Sequence, residues 1–430
     1  MLSSPVRPAP AVRRRSPSLL WRNSVQFVIA WLICVALPVS VGLWLAPRQS
    51  AWGEIANSGI AASAALLLVI WFNRSLARIP GAQSGTRLLT SYLVAAGVVL
   101  AAIIFMRIDY SRGILGLSGA LGVILCITSL QIALNRRSFV LGVIPGGHAE
   151  MLYAVSQIEC VELTSASHRP EVDAFAADFR IDHDVAWQRL IADLSVAGFP
   201  VYHSKDLHES LTGRADVEHL SENNLGALSP LASIQQLKSA IDRVLALVAL
   251  TLLSPLMVLA ALAIRFDSPG PALFRQARMG FRGRAFTVYK FRTMRTAAQS
   301  ESGGRDAFIT RANDARITTL GAFLRKSRID ELPQLFNVMR GEMSWIGPRP
   351  EALALSEWYE KEIPFYRYRH VVVPGITGWA QVNQGHVAQL DEVKTKLQYD
   401  FYYIRNFSIW LDLLIVAKTV KAMLTGFGAR

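Results

Sequence analysis

The stretch I-D-R-V-L-A-L-V-A-L-T-L-L-S-P-L-M-V-L-A-A-L-A-I, residues 241–264, decides how this chain meets a membrane. It is long and apolar enough to cross a bilayer, for which about 20 residues suffice. Ser254-Pro255 stands at its centre. Proline removes an amide donor and crowds the preceding turn, so it kinks a helix. A serine beside it can satisfy the freed backbone group. Basic residues flank both ends, Lys238 and Arg243 before and Arg265, Arg275 and Arg278 after. A spanning helix carries its basic flank mainly on one side. Both facts fit a re-entrant helix over 241–264 that enters, bends at Ser254-Pro255 and leaves by the face it entered. A straight span is the alternative.

Composition agrees with a membrane setting. Apolar residues make up 52% of the 430, charged residues only 18%, and the formal net charge is +13; the mean hydropathy is +0.29. A soluble domain is usually less apolar and more charged. A basic excess at high hydropathy suits anionic lipid or phosphorylated ligands. The basic residues interleave with apolar runs, and no helix-turn-helix, zinc-finger or RNA-recognition signature is present, so no nucleic-acid partner is expected. Cys34, Cys126 and Cys160 lack metal-ligand spacing and form no disulfide framework.

Four further apolar runs, residues 25–46, 55–72, 88–106 and 114–134, each approach the length of a spanning helix and are separated by short loops. The first is long for a signal peptide and lacks a small-residue cleavage site. Arg7, Arg13, Arg14, Arg15 and Arg22 precede the first run with no acid among them; Arg74, Arg78 and Arg87 follow the second, and Arg136 and Arg137 follow the fourth. The positive-inside rule places these, and everything after residue 137, in the cytoplasm. A fifth full span would put Asp330 on the outer side, a second argument for re-entry. The four runs hold almost no internal charge, which disfavours a transporter or flippase path.

The organisation expected is a basic cytoplasmic tail (1–24), four transmembrane helices (25–137), a cytoplasmic α/β connector (138–233) and a last domain over 237–430. In the connector, a strand over 138–144 meets Pro145-Gly146-Gly147 and a helix-like stretch from His148. The opening resembles a Rossmann-like unit but lacks the full G-x-G-x-x-G, so a plain structural domain is favoured over a nucleotide site. Strand and helix patterns over 158–163, 184–197 and 199–203 continue it.

In the last domain, residues 270–295 hold seven Lys/Arg and no acid. Like charges this dense repel unless an anion neutralises them. Residues 287–291 alternate like a strand, which puts Lys290 and Arg292 on one face. Farther on, R-K-S-R-I-D-E-L-P-Q-L spans residues 325–335. Ser327, three residues before Asp330, reads as a helix cap. The chemical reading is that one of the adjacent carboxylates Asp330 and Glu331 attacks and the other holds a divalent metal, while Arg325, Lys326, Arg328 and Arg349 take phosphate charge. Pro348 and Pro350 fix Arg349 on a stiff turn.

Residues 237–425 resemble the bacterial sugar transferase family, the monotopic phosphoglycosyl transferases. The resemblance rests on the Ser254-Pro255 break, F-R-Q-x-R-x-G, K-F-R-T-M, I-D-E-L-P-Q-L-x-N-V, G-P-R-P and P-G-I-T-G-W-A-Q-V, in that order. The spans and connector ahead of them resemble its long, polytopic subgroup. The resemblance implies a membrane α plus α/β fold: a four-helix transmembrane region, a small Rossmann-like connector, and a re-entrant helix with a mostly α-helical cytoplasmic catalytic domain at the bacterial inner membrane. It implies that a sugar 1-phosphate passes from a UDP-sugar to undecaprenyl phosphate with release of UMP, as the first membrane step of exopolysaccharide, capsule or O-antigen synthesis. Asp330 would be the nucleophile, Glu331 a Mg²⁺ ligand, and Lys290, Arg292, Arg325, Pro348, Arg349, Pro350, Asp400 and Arg275 substrate-binding residues. A homo-oligomer stays open, as does a scaffold without turnover, which the intact carboxylate pair disfavours. Where the family often has Asn-Gly-Arg after W-A-Q-V, this chain has Asn383-Gln384-Gly385-His386, which leaves the sugar undecided.

Overall fold

The computed structural model describes residues 23–45, 52–76, 84–134, 139–168, 170–215, 232–295, 316–385 and 389–425. The basic tail up to Arg22, Arg78, Arg136, Arg137 and His386 lie outside them. The chain forms two compact units, Met1–Gly213 and Arg214–Arg430.

All four N-terminal apolar runs are helices. In the first, α1 (Asn23–Trp31) passes through a π-helical segment, Leu32–Ala36, into α2 (Leu37–Leu45). Pro38 cannot donate back along the helix, and the widened turn lies just ahead of it. Then come α3 (Trp52–Leu76), α4 (Ser84–Met106) and α5 (Arg112–Leu134). Windows in the first, second and fourth of these runs are long and apolar enough to cross a membrane; Ser91–Met106 in the third is a shorter apolar helix. Small residues let the helices approach. A Cβ on Gly122 would strike the Tyr92 ring, whose hydroxyl donates to the Ser118 carbonyl at 2.9 Å.

The connector is a four-stranded parallel sheet in the order β2-β1-β3-β4, from β1 (Phe139–Val143), β2 (Ile158–Glu162), β3 (Ala174–Ala177) and β4 (Val201–His203). Helix α6 (Val185–Val196) starts at Asp184, whose side chain accepts the Trp187 N–H, and α7 (Ser204–Thr212) follows β4. The strand β3 is wholly buried and Ala-rich, so it shows none of the alternation that marks a half-exposed strand. The stretch after Gly146-Gly147 is no α-helix but a single 3₁₀ segment, Ala149–Ala154. Gly147, in the left-handed region, packs so close to Asp178 that a Cβ there would lie 2.4 Å from Oδ2.

That carboxylate occupies the place an anion takes at a helix start. Asp178 is fully buried; Oδ2 accepts the His148 N–H at 2.8 Å, and Arg180 donates Nε to Oδ1 and Nη2 to Oδ2, both at 2.9 Å. Burial alone would raise its pKa; the Arg180 and His148 hydrogen bonds overturn that and hold it well below the usual carboxylate range. Asp178→Ala is therefore expected to speed hydrogen exchange of the β1 and β3 amides in the detergent-solubilised chain by about 5- to 150-fold, the equivalent of about 1–3 kcal/mol. The folded pKa lies below the unfolded one. The stabilisation is thus full above about pH 4 and is lost as pH falls through the folded value, so mutant and wild type should converge in acid. Equal protection at neutral pH would refute the role.

The second unit opens with α8 (Ala232–Asp267), 36 residues unbroken through Pro255. The local chemistry at the proline is as expected: Pro255 frees the Thr251 carbonyl, and Ser254 Oγ donates to it at 2.9 Å. The bend drawn from the sequence does not interrupt the helix. Its buried residues, Asp242, Ala246, Met257, Ala260 and Ile264, form one stripe roughly 33 Å long at 1.5 Å per residue. Ala246 packs on Val288, Leu335, Val338 and Met343; Met257, Ala260 and Ile264 pack on Phe291 and Leu324. Both halves of the helix thus lie against one globular body. The opposite side is apolar and exposed, including Val248, Leu252, Leu259 and Phe266.

That body is built on an antiparallel hairpin, β5 (Leu273–Met279) and β6 (Ala285–Phe291), followed by α9 (Thr319–Lys326), a 3₁₀ segment (Ile329–Gln334) and α10 (Leu335–Arg340). Next come β7 (Ser344–Ile346), α11 (Leu353–Glu362), a 3₁₀ segment (Tyr366–Val371) and β8 (Gly375–Thr377), parallel to β7. The unit ends with α12 (Trp379–Asn383), α13 (Leu390–Arg405) and α14 (Ile409–Thr425). Fully buried Asn337 locks α10 to β6: its Nδ2 donates to the Thr287 carbonyl at 2.7 Å and its Oδ1 accepts the Tyr289 N–H at 3.2 Å.

Candidate active site

Asp330 and Glu331 stand on the 3₁₀ segment Ile329–Gln334, both buried. Ser327 does not cap it. The Ser327 hydroxyl donates backwards to the Phe323 carbonyl at 2.8 Å and closes α9, while Arg328, left-handed at φ 59°, turns the chain into the segment.

The two carboxylates are treated unequally. Glu331 Oε1 meets Arg349 Nη2 at 2.6 Å, Lys290 Nζ at 3.3 Å and Arg328 Nη1 at 3.6 Å. Among the described residues, buried Asp330 Oδ1 has no hydrogen-bond partner. Burial would lift both pKa values. For Glu331 the charges of Arg349 and Lys290 overturn that and hold it well below the carboxylate range. For Asp330 burial wins, with the Glu331 charge adding to it, and the pKa stays raised. Burial first and Arg349 second bring Lys290 down to about 8. The pair therefore offers one carboxylate neutralised by cations and one held without a partner, the more basic of the two.

Lys290, Glu331 and Arg349 come together, with Pro348 and Pro350 bracketing the last. Arg349 Nη1 also donates to the Ile376 carbonyl at 3.1 Å, so both arms of its fork are used. Arg325 lies at the end of α9 and donates Nε to Thr293 Oγ1 at 2.9 Å. Three expected substrate contacts sit elsewhere. The strand ends at Phe291, and the Arg292 guanidinium caps α8 instead, donating to the Ser268 and Pro269 carbonyls, each at 2.6 Å; a cation suits the negative end of a helix. Arg275 lies over the half-buried Tyr289 ring, 5.8 Å from its centroid. Asp400 is 1% exposed and paired to Arg369.

None of Arg278, Glu351, Arg369 or Lys396 is placed in the site by the sequence alone. For Arg278 a signal existed. It is two residues from Gln276 and four from Phe274, which pairs with Lys290, so strand alternation puts it on the Lys290 face and Arg275 on the other. The remaining three meet only through tertiary contacts.

Among the described residues no group of three or more His, Cys, Asp or Glu gathers as a metal site. Mg²⁺ binds commonly through one or two carboxylates completed by substrate phosphates. The recorded ion pairs of Glu331 all fall on Oε1, and Asp330 Oδ1 has no partner beside it, so this donor set fits that mode.

Residues 233–426 match the family model described as bacterial sugar transferase. A UDP-N-acetylgalactosamine-undecaprenyl-phosphate N-acetylgalactosaminephosphotransferase of Aeromonas hydrophila is 42% identical over 360 residues, 82% of this chain and 83% of that protein. UDP-glucose:undecaprenyl-phosphate glucose-1-phosphate transferases match over shorter stretches. That of Xanthomonas campestris pv. campestris is 47% identical over 189 residues, 44% of this chain and 38% of its own length. That of Escherichia coli (strain K12) is 44% identical over 197 residues, 45% of this chain and 41% of its own.

Proposed function

The chain belongs to the bacterial sugar transferase family, and from that premise we propose how its site works. It is an undecaprenyl-phosphate sugar phosphotransferase, membrane-bound, taking a sugar 1-phosphate from a sugar nucleotide. In the proposed mechanism an Asp330 oxygen attacks the β-phosphorus of a UDP-sugar. The new O–P bond forms as the bridge to the α-phosphate breaks, and UMP leaves with the bridging oxygen. A phosphate oxygen of undecaprenyl phosphate then attacks the same phosphorus, the Asp330–phosphorus bond breaks, and the product is an undecaprenyl diphosphosugar.

One observation carries this reading: of two adjacent buried carboxylates, Glu331 is ion-paired with Lys290, Arg328 and Arg349, while Asp330 Oδ1 has no hydrogen-bond partner among the described residues. Phosphoryl transfer asks for positioning and charge neutralisation more than for acid–base chemistry. Lys290 and Arg349 hold Glu331 in place and present positive charge to the diphosphate. Glu331 would hold Mg²⁺, which when bound neutralises phosphate charge. Purified enzyme with Mg²⁺, undecaprenyl phosphate and a panel led by UDP-N-acetylgalactosamine and UDP-glucose tests the reading. UMP release with at least one donor is expected; silence with every donor favours a scaffold.

The finer topology belongs to the same proposal: four spans, a cytoplasmic active site on the inner membrane, and α8 with both ends on one face. The single stripe by which both halves of α8 pack on one body supports it, and so do the basic residues at both ends. Single cysteines at positions 236 and 268, in a background without the native three, are expected to react with an impermeant reagent from the same side. Labelling from opposite sides would mean that α8 crosses.

A further inference from the structure

The turn that carries Arg349 is gripped at every residue. Prolines at 348 and 350 leave it two amide donors short, and yet all four of its carbonyls are taken. The Gly375 N–H donates to the Pro348 carbonyl at 3.0 Å and the Met279 N–H to that of Glu351 at 3.1 Å. Between them two guanidinium groups do the same work. Arg369 Nη2 donates to the Arg349 carbonyl at 2.9 Å, and Arg278 Nη1 donates to the Pro350 carbonyl. Lys396 adds a third cation, bonded to the Glu351 carboxylate.

The gripping groups are themselves oriented. Asp400 Oδ2 accepts Arg369 Nε at 3.1 Å and Nη2 at 2.7 Å, and the Tyr366 hydroxyl accepts Nη1 at 2.8 Å. Gln276 Oε1 accepts Arg278 Nε at 3.0 Å and Nη2 at 2.8 Å. Asp400 and Lys396 are four residues apart on α13, so one helix face supplies two of the supports. The Arg349 charge acts against that of Arg278, and like charges in a buried setting repel, a cost that stability alone does not ask of a turn. The arrangement suits a turn whose arginine must face an anion from a fixed position.

We propose that Arg278, Arg369 and Asp400 are positioning residues that fix the reach of Arg349 towards the Asp330–Glu331 pair, with Asp400 acting through Arg369 and not on substrate. The inference rests on the phosphotransferase reading above. A misplacement of about 1 Å at a catalytic group can lower turnover about 100-fold. Asp400→Asn in the full-length enzyme is therefore expected to lower kcat for UMP release about 10- to 100-fold, with the donor KM little changed. Combined with Arg349→Lys it should add almost nothing, because both changes disable the same arginine. Losses that multiply would show Asp400 acting independently and overturn the proposal; so would an Asp400→Asn enzyme with wild-type kcat. Arg369→Lys keeps the buried charge but lacks the forked donors, and is read in the same way should Asp400→Asn fail to fold. Hydrogen exchange of the Gly375 amide reads the clamp without turnover. Faster exchange in the variant is expected, and unchanged exchange overturns the clamp. Faster exchange together with no UMP release from wild type on any donor sinks the transferase reading instead.

Discussion

Asp330→Asn is expected to lower UMP release by about 10⁴-fold or more, the scale on which removal of a covalent nucleophile registers. The amide keeps the shape of the carboxylate but cannot attack phosphorus. The change should not unfold the protein. Burial and the neighbouring Glu331 raise the Asp330 pKa, which means that the folded state bears a cost for its charge. A neutral side chain of the same size removes that cost, so the variant should melt at the wild-type temperature or slightly above it, as expected where activity is held at the expense of stability. Donor binding should persist, since Lys290, Glu331 and Arg349 remain. Incubation of wild type with donor alone should leave a labelled phosphosugar on the protein, and Asp330→Asn should carry none. An Asp330→Asn enzyme within tenfold of wild type would remove Asp330 from the chemistry while leaving the family membership untouched.

Arg349→Lys is expected to lower kcat/KM about 100-fold, although it keeps the charge. The guanidinium serves two acceptors at once: Nη2 meets Glu331 at 2.6 Å and Nη1 the Ile376 carbonyl at 3.1 Å. A lysine is a point charge on a flexible stem and cannot span both. Glu331 would keep Lys290 as a partner, so its charge stays paired and the fold should hold; what is lost is direction. The measurement is steady-state UMP release with donor varied, beside a melting curve. A loss below threefold would show that charge alone suffices at this position.

The long apolar helices were legible because hydropathy summed over about 20 residues is insensitive to local detail. The motif region was legible in its chemistry but less so in its geometry. Alternation placed β6 and Lys290 correctly and then misplaced Arg292, because the strand ends one residue earlier and the side chain turns to the end of α8. Ser327 sits at a cap spacing, yet the left-handed Arg328 between it and Asp330 gives the hydroxyl to the preceding helix. Ala-rich β3 carries no period to read, since a central parallel strand is buried on both faces. Asp400 was singled out while Arg369, 31 residues away in sequence, was not; an ion pair closed by tertiary folding leaves no spacing to find.

The carboxylate of Asp178 has a consequence for what the connector can sense. In nucleotide-binding sheets the loop after the first strand waits for a phosphate supplied from outside, so its order tracks the supply. Here the chain provides that negative charge from the residue just after its third strand, with Arg180 as counter-ion. A loop closed by an internal guest needs no outside phosphate to hold its backbone in place. The order of that loop is set by folding itself.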